Sequence, residues 1–129
     1  MNSGILDCLS QCTYCAITPE EAWIATDEAI ALPYPEPLAT CHMVVAPRRH
    51  VSSLYALDVG EQRALWALVT EIRARLTRSM RVEGFYLGFA DFPEGDAAHA
   101  LVHVVPRVSG EVVVLPDGIE WVDPGQSIM

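Results

Sequence analysis

The stretch TCHMVVAPRRH (residues 40–50) contains a strand signal with clear limits on both sides. Its apolar run from His42 to Ala46 has the length of a buried strand. Pro47 ends the run, because proline cannot donate a hydrogen bond to a central β-ladder. Two arginines and a second histidine, His50, follow at once. We therefore expect a buried strand with one histidine at its start and another just beyond its end.

Two further strands are predicted before this stretch. Residues 22–26 and residues 29–32 are mainly apolar, and the turn former Asp27 separates them, a pattern typical of a β-hairpin. A proline-rich loop at residues 33–37 connects this hairpin to the strand at residues 42–46. The first half of the chain is therefore predicted to supply three strands.

One long amphipathic helix is predicted over residues 60–80. Asp58 and Glu61 have the spacing of a capping box, and apolar side chains then recur at helical intervals. These side chains are Leu65, Leu68, Ile72 and Leu76. The helix therefore has an apolar face that can pack against a sheet.

Two strands are predicted after the helix, at residues 84–90 and at residues 98–105. The acidic loop at residues 91–96 lies between them. Residues 112–115 form a candidate edge strand, and residues 117–129 are expected to be a loosely attached tail. The second half of the chain thus adds at least two strands to the predicted sheet.

Length and charge limit the range of partners. The 129 residues suffice for one domain, expected to span residues 1–129. Eight basic residues, all arginine, against 17 acidic ones give a net charge of -9, and a phosphate backbone would repel such a surface. No stretch approaches the ~20 apolar residues of a membrane helix, and the first residues lack a secretory pattern. We expect a cytoplasmic protein with no nucleic-acid partner and no membrane.

Cysteines and histidines supply candidate metal ligands. Cys12 and Cys15 have the two-residue gap that lets both thiolates reach one ion, although redox motifs share this spacing. In a strand over residues 98–105, His99 and His103 would share one face with Leu101. Ala100, Val102 and Val104 would form the opposite face, which we expect to be the core.

Several segments together resemble the histidine triad (HIT) superfamily, in its zinc-binding branch. They are residues 40–50, the following VSSLYAL at 51–57, EQRALW at 61–66, HVVPR at 103–107 and the leading CTYCAI at 12–17. The resemblance covers about residues 12–107. It implies an α+β fold with an antiparallel sheet of about five strands, one long helix and an N-terminal zinc-binding loop. It also implies a homodimer formed by the long helix and a neighbouring strand.

The resemblance further implies a zinc site. Family members with this leader bind zinc through two cysteines and two histidines, which correspond here to Cys12, Cys15, His50 and His99. Four protein ligands leave no open position, so a structural metal is expected. Cys8 extends the cysteine spacing to one that also resembles the iron–sulfur motif of radical S-adenosylmethionine enzymes. No repeated βα units follow, so we expect Cys8 to be a spectator or an alternative zinc ligand.

The chain departs from the family at the residues that carry its chemistry. The middle triad histidine, which attacks the nucleotide α-phosphate in the family's enzymes, is Leu101 here, and an isobutyl group cannot act as a nucleophile, acid or base. Asp96 stands in the loop that usually binds phosphate. Ala90 replaces a usual asparagine, and Tyr34 replaces an acidic residue that holds the ribose. These changes argue against ordinary nucleotidyl transfer.

The polar residues that remain give the candidate site. His103, His42, Tyr34 and Asp96 are the candidate catalytic residues, with His103 as general acid or base. Substrate contacts are expected from Leu101, Ala90 and Arg107. Cys41, next to His42, is a conceivable nucleophile that we expect to be a buried, inert thiol.

Three functions fit this sequence. The leading hypothesis is a divergent enzyme that performs acid/base chemistry, such as elimination, hydrolysis or isomerisation, on a small metabolite. In a variant of it, zinc is catalytic, with His50 or His99 released and water as the fourth ligand. The second is a nucleotide hydrolase or transferase without the histidine nucleophile. The third is a non-catalytic, zinc-stabilised binding module.

Overall fold

The computed structural model describes residues 12–18, 20–91 and 98–110. The candidate edge strand at residues 112–115 and the tail at residues 117–129 lie outside the described residues. In the part of the chain that is described, no helix has both the length and the apolar character needed to cross a membrane.

The described residues form five strands, two α-helices and one 3-10 turn. The strands are β1 (Ile24–Ala25), β2 (Ala29–Pro33), β3 (Met43–Pro47), β4 (Val82–Gly88) and β5 (Val102–Val108). The helices are α1 (Thr13–Ala16) and α2 (Val59–Ser79), and the 3-10 turn is Leu54–Ala56. All the strands pair antiparallel in the order β1-β2-β3-β5-β4. The predicted α+β class, antiparallel sheet and long helix are confirmed.

The strand at the centre of the sheet, β3, is buried on both faces. Val45 contributes to the core beneath α2, whereas Val44 and Ala46 belong to a second apolar cluster on the other face of the sheet. This double burial explains why β3 is a continuous apolar run rather than an alternating one. The strand includes Pro47, which pairs with Ala29 as the last residue of the ladder, where proline is tolerated.

The main core lies between α2 and the sheet. Leu65 and Ile72 on α2 are fully buried and pack with Val102 and Val104 of β5. Burial of each such side chain contributes about 2 kcal/mol of transfer free energy. As predicted, Ala100, Val102 and Val104 belong to this core. The opposite side of β5 is therefore left for His103.

The predicted capping box at the start of α2 is present. The Asp58 carboxylate accepts from the Glu61 amide at 2.7 Å, and the Glu61 carboxylate accepts from the Asp58 amide at 3.0 Å. Arg49, just beyond β3, makes two further bonds to the Glu61 carboxylate, at 2.7 and 2.9 Å. The Arg49 guanidinium, with the Asp58 amide, lowers the pKa of Glu61 to about 2. This network joins the end of β3 to the beginning of α2.

Every strand differs from its predicted bounds by at least one residue, and the two strands after α2 are shifted at both ends. β5 begins at Val102 rather than at residue 98, because Ala100 donates its N–H to the carbonyl of Val51 in the loop beyond β3. The segment that carries His99 is therefore fixed outside the regular ladder. β4 begins at Val82 rather than at residue 84, with two residues between it and the end of α2, and a register irregularity follows Val82.

The ion pair of Glu61 predicts an acid-dependent loss of stability. Because folding lowers this pKa from 4.5 to about 2, the pair stabilises the fold above pH 4.5, and its contribution disappears as the pH falls toward about 2. Glu61→Gln keeps the cap but removes the charge. We expect its urea midpoint to be lower than that of the wild type at pH 6 and equal to it near pH 2.

The difference in urea midpoint between the wild type and Glu61→Gln isolates the contribution of Glu61, since both proteins share the other acid-sensitive groups. Arg49 is half exposed, so the effect will be small and will shrink in high salt. A difference that stays constant from pH 6 to pH 2 would contradict the assignment.

Candidate functional site

Four cysteine and histidine side chains meet beside the sheet. Cys12 lies just before α1 and Cys15 within it, His50 follows β3, and His99 precedes β5. The Cys12 Sγ atom lies 3.3 Å from Nδ1 of His99, and the Cys15 Sγ atom lies 3.1 Å from Nδ1 of His50. The ligand atoms of all four residues lie within 4.8 Å of one another. The four predicted ligands therefore form a cluster that could hold a metal ion.

The geometry of this cluster fits a tetrahedral ion with sulfur and nitrogen ligands. Usual zinc bond lengths place neighbouring sulfur and nitrogen atoms about 3.5 Å apart, and the Sγ–Nδ1 distances to His99 are 3.3 and 3.5 Å. The other ring nitrogen of His99, Nε2, donates to the carbonyl of Pro47 at 2.7 Å. This bond keeps the proton on Nε2 and leaves the Nδ1 lone pair for the cluster, as is usual for metal-binding histidines.

A pocket of about 230 Å³ adjoins the cluster. Its lining consists of Tyr14, Tyr34, Ser52, Ala90, Ala98, His99, Ala100, Leu101 and His103. His99 belongs both to the cluster and to the pocket wall, and Tyr14 lies between the two cysteines of α1. The pocket and the cluster therefore share a wall.

His103 in the pocket wall is paired with a second histidine, His42. The Nε2 atom of His42 is 3.0 Å from Nδ1 of His103. The amide of Leu38 donates to Nδ1 of His42 at 3.0 Å. The Tyr34 ring packs against both imidazoles, with centroids 4.7 Å from His42 and 4.9 Å from His103. His42 is only 2% exposed, so it supports His103 from below the surface of the pocket.

Burial favours the uncharged forms of His42, His103 and Tyr14. Burial, and second the nearby His103, lower the pKa of His42 to about 4. Burial also lowers the pKa of His103 below its usual value. The pKa of the Tyr14 phenol is raised, first by burial and then by Tyr34 and Cys12. Two neutral imidazoles and a protonated phenol therefore face or support the pocket.

The structure brings together most of the predicted site residues. Tyr34, His103, Leu101 and Ala90 all line the pocket, and His42 is bonded to His103. Leu101 belongs to the apolar cluster that includes Tyr34. It stands between the two histidines of the pocket wall, as the sequence predicts.

The remaining predictions are less well matched. Arg107 lies four residues along β5 from His103, about 13 Å away at strand spacing, is exposed, and is not in the pocket lining. Asp96 lies outside the described residues. The expected buried thiol at Cys41 is wrong: Cys41 is exposed, with φ of 61°, at the turn that precedes His42.

Four lining residues were missed by sequence reasoning: Tyr14, Ser52, Ala98 and Ala100. The position of Tyr14 near the pocket could have been predicted, because a residue between two cysteines that bind one ion must lie close to that ion's other ligands. Its ring centroid lies 5.8 Å from that of His99. Ser52 lies in the loop after His50, and the sequence carries no signal that places it in the pocket.

The comparisons with known proteins agree on the fold. No protein-family model and no curated protein sequence matches the chain. Among solved structures, a zinc-bound histidine triad family protein from Mycobacterium smegmatis is similar, with TM-score 0.64, 24% identity, and coverage of 82% of this chain and 81% of that chain. A hypothetical histidine triad nucleotide-binding protein from Sulfolobus tokodaii gives TM-score 0.68 and 19% identity, covering 88% of this chain and 78% of that chain.

The NitFhit protein of C. elegans is also similar, with TM-score 0.66 and 21% identity over 77% of this chain. The match covers 24% of the NitFhit chain, so the present chain spans about a quarter of that protein. These structures identify the fold as that of the histidine triad proteins. The fold implied by the sequence resemblance is confirmed.

The buried histidine pair gives a testable titration. In an NMR titration, we expect the ring signals of His42 to keep their neutral positions down to about pH 4, because burial penalises the charged ring. His103→Asn removes the neighbouring positive charge but keeps His42 buried. In that variant the midpoint should rise only slightly, since burial is the larger cause. A wild-type midpoint near 6.5 would contradict this account.

Proposed function

We propose that this protein is a zinc-stabilised enzyme that performs acid/base chemistry on a small metabolite, with His103 as the central catalytic residue. One observation carries the proposal. The pocket retains a histidine supported by a second, buried histidine, although the position between its two wall histidines is occupied by Leu101. Elimination, hydrolysis and isomerisation are the reaction classes that such a site can serve without a covalent nucleotidyl intermediate.

Each proposed catalytic residue has a distinct role. His103 contacts the substrate, His42 fixes the orientation of His103, and Tyr34 packs against both rings. Leu101 and Ala90 supply an apolar wall for the substrate. Asp96 and Arg107 remain candidates from the sequence alone.

Zinc is the proposed cofactor, bound by Cys12, Cys15, His50 and His99. Two thiolates and two imidazoles are the ligands that zinc prefers, and four protein ligands favour a structural role. When bound, the ion would tie α1 to the segments that flank β3 and β5. The zinc-bound protein from Mycobacterium smegmatis, which has the same fold, supports this choice of metal.

A nucleotide hydrolase or transferase is the second candidate. The similar structure from Sulfolobus tokodaii, described as nucleotide-binding, favours it. Two features of the pocket oppose it. Leu101 has no lone pair with which to attack a phosphate. A pocket of about 230 Å³ is also small for a nucleotide, since pockets for drug-sized ligands have volumes of about 300–1,000 Å³. A non-catalytic binding module is the third candidate and predicts ligand binding without turnover.

We also propose a homodimer in the cytoplasm. β4 is an edge strand among those described, and apolar side chains beside it are exposed: Leu87 by 48%, Phe89 by 39% and, on α2, Trp66 by 40%. The Phe89 ring lies edge-on to Trp66, with centroids 6.3 Å apart. An unpaired strand edge next to exposed aromatic rings is a surface that a second copy could cover.

The zinc site predicts a metal content that depends on the cluster alone. The purified protein should contain one zinc ion per chain by elemental analysis, and Cys12→Ser should lose it. Cys41→Ser is the matched control, because Cys41 is exposed at a turn and is not part of the cluster. It should keep its zinc. Equal zinc contents in the two variants would refute the assignment of the ligands.

The proposed chemistry predicts a separation between nucleotide binding and turnover. Millimolar AMP or GMP should leave the melting temperature unchanged, since a ligand that binds the native state must raise it. A panel of small metabolites, screened in the same way, should include a ligand that is turned over. His103→Asn should reduce that turnover by about a hundredfold or more while the protein stays folded.

Each alternative has its own outcome in this screen. Micromolar binding of AMP or GMP would favour the nucleotide enzyme. A metabolite that binds but is not transformed would favour the binding module. Full activity in His103→Asn would refute the role given to His103.

The dimer is tested by the size of the particle. The wild type should elute as a dimer in size-exclusion chromatography with light scattering, and Leu87→Glu should elute as a monomer, because it would place a charge from each copy in the apolar contact. Glu83→Gln on the same strand is the control and should remain dimeric. A monomeric wild type would contradict the proposal.

A further inference from the structure

The amide of Leu38 determines which nitrogen of His42 carries a proton. A backbone N–H can only donate, and it donates to Nδ1 of His42 at 3.0 Å. That nitrogen must therefore present its lone pair. In a neutral imidazole the single proton then resides on Nε2. Neutral His42 is expected near pH 7, since burial lowers its pKa to about 4.

The same constraint passes to His103. Because Nε2 of His42 carries the proton, the contact of 3.0 Å between the two rings is a bond that His42 donates and Nδ1 of His103 accepts. Neutral His103 must then carry its own proton on Nε2. That nitrogen is the one not engaged by His42, on a ring that lines the pocket.

Other protonation states bring two donors into opposition. If His103 held its proton on Nδ1, that N–H would face the N–H of His42. If His42 shifted its proton to Nδ1, that N–H would face the amide of Leu38. Each arrangement leaves buried donors without acceptors, which is costly in a site where one partner is 2% exposed.

The described lining of the pocket agrees with an uncharged ligand. It contains two tyrosines, a serine, three alanines, a leucine and the two histidines, with neither a carboxylate nor an arginine. An anion would therefore lack a countercharge there, and the net charge of -9 would repel it at long range. A cation would face a proton-bearing nitrogen of His103.

We propose that His103 works as a neutral hydrogen-bond donor, locked by the chain from the Leu38 amide through His42, and that it binds the oxygen of a small, uncharged carbonyl compound. This inference rests on the proposed function and narrows it. His103 therefore acts on the acid side of the proposed acid/base chemistry: its Nε2–H donates to the carbonyl oxygen as negative charge develops there, and the ring does not serve as a base. His42 is a positioning residue.

The lock is tested by ¹⁵N NMR of the imidazole rings in the zinc-loaded protein, which has four histidines. At pH 7, His103 and His42 should each show a protonated Nε2 and an unprotonated Nδ1. A His103 ring that is protonated on Nδ1, doubly protonated or averaged between tautomers would overturn the proposal.

Two variants isolate the role of His42. His42→Phe keeps a ring but removes the donor, so the nitrogen signals of His103 should become averaged between the two tautomers. Tyr34→Phe keeps the packing of the ring and should leave the His103 signals unchanged. A merely structural role for His42 predicts no change of tautomer in a folded His42→Phe protein, and that result would overturn the lock. If this variant does not fold, the wild-type spectrum still decides.

Matched probes test the ligand class. Cyclopentanone should move the Nε2 signal of His103, whereas cyclopentylammonium, a cation of similar size, should leave it in place. A shift by the cation alone, or by neither probe, would overturn the ligand class. The proposed function fails differently: AMP binding to a protein whose His103 is locked would refute small-metabolite chemistry and leave the lock intact.

Discussion

The hydrogen bond from His99 to the carbonyl of Pro47 is the contact on which the site depends. It fixes the ring at the end of β3 and turns its Nδ1 atom toward the sulfur atoms of α1. The same ring forms part of the pocket wall. A single imidazole thus connects the sheet, the cysteine cluster and the pocket, so disturbance of the cluster must also reach the pocket.

This connection explains why a metal with a structural role would still matter for substrate binding. α1 has only four residues and no side-chain cap, and a helix of that length is not stable by itself. The cysteines that flank Tyr14 hold it against the rest of the protein. Loss of an ion bound by this cluster should therefore displace Tyr14 from the pocket before it unfolds the sheet, whose core beneath α2 contains no cluster residue.

The sequence predicted the elements whose signals are local. The helix and its cap follow from Asp58, Glu61 and a regular apolar spacing, and both are present. The start of β5 could not be predicted in this way, because it depends on the bond from Ala100 to Val51, which joins distant parts of the chain.

The same distinction between local signals and contacts of distant residues applies to the site. The four cluster residues were predicted only through resemblance to a family, since spacing alone cannot bring Cys12 to His99. Their proximity is visible in the structure. The tautomers of His42 and His103 could not be predicted, because they depend on a backbone amide that no side-chain pattern marks.

The turn before β3 is what presents that amide. The N–H of His42 bonds to the carbonyl of Ala39, and Cys41 within this turn adopts the left-handed conformation, with φ of 61°. That conformation is unfavourable for a residue with a side chain, so tertiary contacts must hold it. The turn places the Leu38 amide against the His42 ring. The strained residue thus lies in the loop that decides the protonation of the pocket histidine. The backbone amide of Leu38, a residue whose side chain has no chemistry of its own, can therefore determine what His103 is able to bind.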